Sequence, residues 1–354
     1  MQPLGSPATD PTSVFEYFRG SYGTELLTAA VAHFDLFGRL AKQPRTLAEL
    51  QVDLKLAERP AIVLTTALRA MQLLSKNAAA QFELTETAAE HLVRGEEFDV
   101  GSYLSLAATS PGVKEMLERL RTNRPAGLSG DGAGAAFIYR DGMKSAMEQT
   151  QLAAHFTLAL SGRAKNVAPV LAAQVSLNNA TTLLDVGGGT GIYSIAFLRT
   201  NPGLRAIVFD RPEVLKTAEC FADDYGVTDR VQLLPGDMYA DPLPNADVIL
   251  LSNILHDWDV PECQTLIQRC AASLNPGGRL IIHDVLLNDN LDGPLPIALY
   301  SAALFTLTEG RAYSKSEYNS WLINAGLQPE PPIATLIHCH AIVAQSSLTG
   351  CSPD

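Results

Sequence analysis

Basic residues are scarce in this 354-residue chain: 26 Lys and Arg stand against 38 Asp and Glu, for a formal net charge of -12 and a pI near 5.0. Nucleic acid or an anionic membrane would be repelled by such a surface unless a basic patch offset it, and no such patch stands out in the sequence. Cysteine is sparse as well. The five residues (Cys220, Cys263, Cys270, Cys339, Cys351) form no CxxC pair and no metal-ligand spacing, and an odd number does not suit a disulfide framework. Long apolar runs are missing, since 246–255 and 295–307 are too short or too interrupted to cross a bilayer. Residues 1–12, rich in Pro, Ser and Thr, have neither the basic start nor the apolar stretch of a signal peptide. The expectation is a cytoplasmic protein with reduced thiols, without a metal, and with neither nucleic acid nor membrane as partner.

What is abundant is apolar side chain: 47% of residues are hydrophobic, 18% are charged, and the mean hydropathy is +0.08. Such an excess in a globular chain often goes into a subunit interface, and the length suits two domains. From Val14 to about Tyr103 the apolar residues recur at helical spacing, in Leu26, Leu27, Ala30, Val31 and Phe34, in Leu47, Leu50 and Leu54, and from Ile62 through Leu74. Phe82-Glu83-Leu84, with Thr85 and a short helix to Val93, then reads as the wing of a winged helix. That fold is often associated with DNA, but acidic residues outnumber basic ones in this segment, and its would-be recognition helix offers mainly Arg59 and Arg69. The Ala-rich and Leu-rich helices fit a homodimer interface better.

A connection rich in Pro and Gly follows at 125–135, then helix from Phe137 to about Val175. From Thr181 onward short β-rich runs alternate with helical segments: Thr181–Val186, Leu204–Phe209, Val231–Leu234, Val248–Leu251 and Leu280–Ile282. Strict alternation of strand and helix predicts a doubly wound parallel α/β sheet. The expected organisation is a tail at 1–13, a winged-helix dimerisation domain at 14–105, a helical linker with substrate-pocket helices at 106–180, a cofactor-binding catalytic domain at 181–346, and a second tail at 347–354.

The most informative stretch is Leu183-Leu184-Asp185-Val186-Gly187-Gly188-Gly189-Thr190-Gly191. It places an acid at a strand end and glycines in the turn into the next helix, where backbone approaches a ligand closely. The dinucleotide fingerprint would need a glycine at Ile192, so the spacing is GxGxG. Asp185 would repel a pyrophosphate but not the zwitterionic amino-acid end of S-adenosylmethionine. A second acid, Asp210, ends the next strand, where a carboxylate accepts both ribose hydroxyls of a nucleoside. Gly236-Asp237-Met238 follows the third strand, with Asp237 set to accept an adenine amino group and Met238 to lie along the ring.

After the fourth strand comes His256-Asp257-Trp258, a histidine at the same sheet end as the cofactor, with a pKa range suited to deprotonating a phenol. Asp284, at another strand end, is placed to hold its imidazole by the second nitrogen. His283 points to the opposite face from Asp284 by strand alternation and reads as structural. His338 and His340 flank Cys339 on the last strand and read as strand-face residues.

Residues 14–345 resemble the bacterial and plant small-molecule O-methyltransferases with an N-terminal winged-helix dimerisation domain, a group that includes caffeic acid, anthracycline and N-acetylserotonin O-methyltransferases. The resemblance implies a Rossmann-like sheet with a reversed last strand, S-adenosylmethionine contacts at Asp185, Gly187, Gly189, Asp210, Asp237, Met238 and Ser252, and His256 as general base. The position of Ser252 resembles a lysine in the plant enzymes. One acid flanking the base matches Asp284; the other falls where this chain has Ala312, leaving Glu309 or Asp257 to substitute. Met143, Met147, Trp258, Tyr300 and Leu304 are the residues expected to line the pocket for a flat apolar acceptor. Methylation at nitrogen or carbon, a non-methylating reaction on the same scaffold, and a ligand-sensing transcription regulator are the competing readings; the last needs a basic DNA face that this chain lacks.

Overall fold

Short helices dominate the first hundred residues of the computed structural model, which describes residues 4–124 and 150–346. The connection expected at 125–135 and the helix start expected at Phe137 therefore lie outside the described residues. Two units emerge, one of Glu16–Gly132 with Leu287–Ser314 and one of Met1–Phe15, Ala133–Leu286 and Lys315–Asp354.

In the first unit, Thr46 starts the helix Leu47–Leu54 with a capping box closed by Glu49. The next helix, Glu58–Ala70, buries Ala61, Val63, Leu64, Ala67 and Leu68 almost completely, and it packs against Leu295–Leu307 of the same unit. Its apolar character on several faces is thus used inside the unit. The helix does not run on to Leu74 as the apolar spacing suggests. Gln72 takes a left-handed conformation at φ +60°, Leu73 N–H bonds back to the Leu68 carbonyl, and the chain turns into a strand. That strand, Leu74–Lys76 (β1), pairs antiparallel with Phe82–Leu84 (β2), and Thr85 caps the helix Glu86–His91.

Both basic residues of the would-be recognition helix bind within this unit. Buried Arg59 donates to Asn123 Oδ1 at 2.9 Å and to the Thr308 and Gly310 carbonyls at 3.0 and 3.1 Å. Arg69 bonds the Asn290 and Leu291 carbonyls and pairs with Asp292 at 3.6 Å.

The second unit carries the sheet: Thr182–Val186 (β3), Arg205–Asp210 (β4), Val231–Pro235 (β5), Ala246–Ser252 (β6) and Leu274–Leu287 (β7). After Tyr313–Ser314 (β8), which belongs to the first unit, come Leu327–Pro329 (β9), Ile333–Ala334 (β10) and Cys339–Ser346 (β11). The order is β10-β11-β7-β6-β3-β4-β5, parallel from β5 through β7, with β11 antiparallel on β7. This is the doubly wound α/β sheet with a reversed last strand. Its central strands read as continuous apolar runs because both faces are buried: Leu183, Val248, Leu250 and Ile281 join a core with the helices Thr150–Gln174 and Ile192–Thr200, while Leu184, Ile249 and Leu251 point the other way and are equally buried. Asp185, Asp210, Gly236 and Ser252 consequently gather at one end of the sheet, where parallel strands deliver their carboxyl ends.

Candidate active site

Asp185 lies beneath the glycine turn, 1% exposed, and accepts a hydrogen bond from Ser194 Oγ at 2.8 Å. Burial, with the nearby Asp210 charge added, pushes its carboxyl up to about 7. The turn above it folds tightly: Gly187 N–H bonds the Phe209 carbonyl at 2.8 Å, Gly191 N–H bonds the Gly188 carbonyl at 2.8 Å, and Gly187, Gly189 and Gly191 all have positive φ. A Cβ on Gly187 would come within 2.5 Å of Ile254, whereas one on Gly189 would meet nothing within 4 Å. The loop is therefore packed from behind at Gly187 and open at Gly189, a cradle suited to a ligand.

Asp210 holds that cradle in place. Its Oδ2 accepts from Gly189 N–H at 2.8 Å and its Oδ1 from Arg211 N–H at 2.7 Å, and burial raises its carboxyl to about 6. A carboxylate has about four acceptor sites, so ribose hydroxyls can still be accepted. Asp237 Oδ1 accepts from the Tyr239 and Ala240 N–H groups at 2.8 and 3.3 Å, while Oδ2 pairs with Arg211 at 3.2 Å. The Met238 carbonyl accepts from Arg269 Nε at 2.9 Å, and the Tyr239 ring meets Trp258 edge-on at 4.8 Å. At the end of β6, Ser252 Oγ lies 2.9 Å from His283 Nδ1, and the neighbouring Asn253 Oδ1 is buried and accepts no hydrogen bond among the described residues. Acceptors around an open backbone cradle, one of them buried and unsatisfied, fit a nucleoside carrying an amino-acid tail.

His256 sits in the 3₁₀ turn Leu255–Asp257 that follows β6, 4% exposed. Its Nδ1 lies 2.6 Å from Asp284 Oδ1, which also accepts from Val285 N–H at 2.8 Å, while Asp284 Oδ2 accepts from the Tyr318 hydroxyl at 3.2 Å. On the other side, Asp257 Oδ1 lies 3.7 Å from His256 Nε2. Burial opposes the imidazolium, but the Asp284 and Asp257 carboxylates outweigh it and hold the His256 pKa above its ordinary value. Asp284 is held below the usual carboxylate range despite its burial, by the His256 charge and hydrogen bond. Burial pushes Asp257 up to about 6. Such a pair can take up a proton in a water-poor site and stabilise the cation formed.

Those of the expected acceptor-pocket residues that are described fall in both units. Met143 and Met147 lie outside the described residues; Trp258 is buried in the sheet unit; Tyr300 stacks under Arg19 at 3.9 Å, and Leu304 is buried, both in the helical unit. Ala312 is buried there too, its N–H donating to Ser301 Oγ at 3.1 Å. Tyr318, Ser194 and the Arg211–Asp237 pair escape sequence reasoning. Only Arg211, adjacent to Asp210, carried a positional hint.

A family model described as an O-methyltransferase domain matches residues 131–328. Among curated proteins the chain is 33% identical, over 319 residues covering 89% of each chain, to 3-hydroxy-5-methyl-1-naphthoate 3-O-methyltransferase of Streptomyces sahachiroi. It is 30% identical, over 89% of its length and 91% of the relative's, to the tetracenomycin polyketide synthesis 8-O-methyl transferase of Streptomyces glaucescens. Among solved structures it is similar to an O-methyltransferase family 2 protein of Planctomyces limnophilus in complex with apigenin, at a TM-score of 0.88 and 46% identity over 97% of this chain and 98% of that one. Human N-acetylserotonin methyltransferase in complex with SAM shares the fold, at a TM-score of 0.60 and 23% identity over 96% and 99% of the two chains.

The loop geometry predicts unequal costs for two alanines. Gly189→Ala should lower the unfolding free energy by about 1–2 kcal/mol, the cost of a left-handed alanine. Gly187→Ala adds overlap with Ile254 and should cost more than that, about 2–4 kcal/mol in all. Urea unfolding checks this, and equal losses would contradict the packed-behind, open-in-front description.

Proposed function

This chain belongs to the O-methyltransferase family, and on that premise we propose that it methylates a phenolic hydroxyl of a small aromatic or polyketide-like acceptor, with His256 as the general base. S-adenosylmethionine supplies the methyl group already activated on a sulfonium. The protein must then orient the acceptor oxygen, exclude water and remove its proton. The observation that carries the reading is the 2.6 Å contact between His256 Nδ1 and buried Asp284. With Nδ1–H donated to Asp284, the neutral tautomer has its basic lone pair on Nε2, the nitrogen that takes the hydroxyl proton. Tyr318 and Val285 fix the carboxylate, and Asp257, beside Nε2, substitutes for the flanking acid that Ala312 lacks. The hydroxynaphthoate in the name of one similar protein and the polyketide in that of another support a flat phenolic acceptor. Gly187, Gly189, Asp185, Asp210, Asp237, Met238 and Ser252 are assigned to the cofactor.

A homodimer through the helical unit is part of the same proposal. Tyr17, Phe18, Tyr103 and Leu106 are 75–85% exposed there, and apolar groups of this size turned outward are what a partner surface would cover. Light scattering should give about twice the 37.9 kDa chain mass at micromolar concentration. A stable monomer would contradict the assignment.

The base must be neutral to accept a proton, so turnover should rise with pH through the raised His256 pKa and fall away below it. Replacing His256 with Gln should cut turnover about 10²-fold or more while S-adenosylhomocysteine binds as before. Asp284→Asn removes the charge that favours the imidazolium, so the acid limb of the pH–rate profile should move to lower pH while the plateau drops about 10–100-fold. Mass-detected methyl transfer to a panel of phenols provides the readout. Full turnover by His256→Gln at neutral pH would instead favour methylation at a nitrogen or carbon that needs no base.

A further inference from the structure

His283 neighbours Asp284 on β7 but faces a different set of groups. It is fully buried, its ring 5.4 Å from that of Tyr193, with Ser252 Oγ at 2.9 Å from Nδ1 and Thr335 Oγ1 at 3.1 Å from Nε2. Donor counting fixes where its proton sits. Thr335 has one hydroxyl hydrogen, and at 2.9 Å it is donated to the Cys339 carbonyl, which can only accept. Toward His283 the Thr335 oxygen must therefore act as acceptor, which places the proton on Nε2. Burial, with the Arg163 charge added, pushes the ring's pKa down to about 3, so near neutral pH Nδ1 carries no proton and accepts. Ser252 is left as the donor in the remaining contact. Its single hydrogen is committed to His283, and Asn253 Nδ2, 3.0 Å away, occupies one of its lone pairs.

We infer that His283 is a positioning residue that fixes Ser252 as a pure hydrogen-bond acceptor at the end of β6, so that this point of the site reads the ammonium group of the cofactor's amino-acid end and not its carboxylate. The inference rests on the assignment of Ser252 to the cofactor. Three features beyond the hydroxyl support it. The chain Cys339–Thr335–His283–Ser252 runs from β11 across β7 to the end of β6 and leaves each of its hydrogens with one acceptor. Asn253, at φ +59° and tied through its N–H to the His283 carbonyl at 2.8 Å, adds a buried acceptor, Oδ1, that takes no hydrogen bond among the described residues, at the same strand end. Asn253 Nδ2 also donates to the Tyr193 hydroxyl at 3.2 Å, so the turn that carries both acceptors is held from two sides. An ammonium group brings three donors and no acceptor, and so matches the lone pairs of Ser252 Oγ and Asn253 Oδ1, with the Tyr193 hydroxyl beside them as the neighbouring donor.

The test compares S-adenosylhomocysteine with its deaminated analogue by calorimetry on the full chain. Ser252→Ala should weaken S-adenosylhomocysteine about threefold to tenfold and leave the analogue unchanged. His283→Leu should reproduce that loss and selectivity, His283→Asn, which can return an acceptor near Nδ1, should restore part of it, and the double variant Ser252→Ala/His283→Leu should bind no worse than either single one. Intact affinity in His283→Leu, equal losses for both ligands, or multiplied losses in the double variant would each overturn the inference. Wild-type protein that binds neither ligand while remaining folded would remove the cofactor assignment itself, an outcome distinct from the others. Should His283→Leu fail to fold, ¹⁵N NMR of the wild-type ring decides: a proton on Nε2 is expected, and one on Nδ1 would overturn the assignment.

Discussion

The contact on which the site depends is the buried one between His256 and Asp284. At 2.6 Å, with both side chains removed from water, neither group tolerates the loss of the other, because an unpaired charge there would cost several kcal/mol. The pair shifts the two pKa values in opposite directions, His256 up and Asp284 down. Its contribution to stability is accordingly greatest between them: it is lost as pH rises through the raised imidazole pKa, and lost again as pH falls through the depressed carboxyl pKa. The surroundings serve this contact. Val285 N–H and the Tyr318 hydroxyl both donate to Asp284, so the carboxylate keeps its orientation and its low basicity.

The nucleoside side of the site uses the same economy of carboxylates differently. Asp210 accepts two backbone N–H groups and thereby holds Gly189 in the open, left-handed position that exposes the loop. Asp237 is fixed by the N–H groups of its own turn and by Arg211. These two acids are thus already oriented by the chain, and ordering them adds little to the entropy lost on binding. Asp185 differs, since it lies under the loop with Ser194 and acts on the turn from below.

Much of this was legible in the residues because it depends on local rules. Glycines at 187, 189 and 191 must take positive φ in a strand-to-helix turn, acids at strand ends collect on one edge of a parallel sheet, and alternation separates His283 from Asp284. The end of the helix at Ala70 was not legible, because Gln72 carries no glycine-like signal for the left-handed turn it makes. Tyr318 was hidden for a different reason: it lies 34 residues from Asp284, on a helix whose sequence gives no periodic indication of which side chain faces the sheet. The partners of His283 and Arg211 likewise come from separate strands and turns, and only the fold brings them together.

The central claim is that Asp284 holds His256 as a base with its free lone pair on Nε2, and an NMR titration of the His256 ring in wild-type protein tests it most directly. The account predicts a pKa above the ordinary histidine value of about 6.5, with the proton on Nδ1 present on both sides of the transition. A pKa below that value, or a neutral form protonated on Nε2, would contradict it.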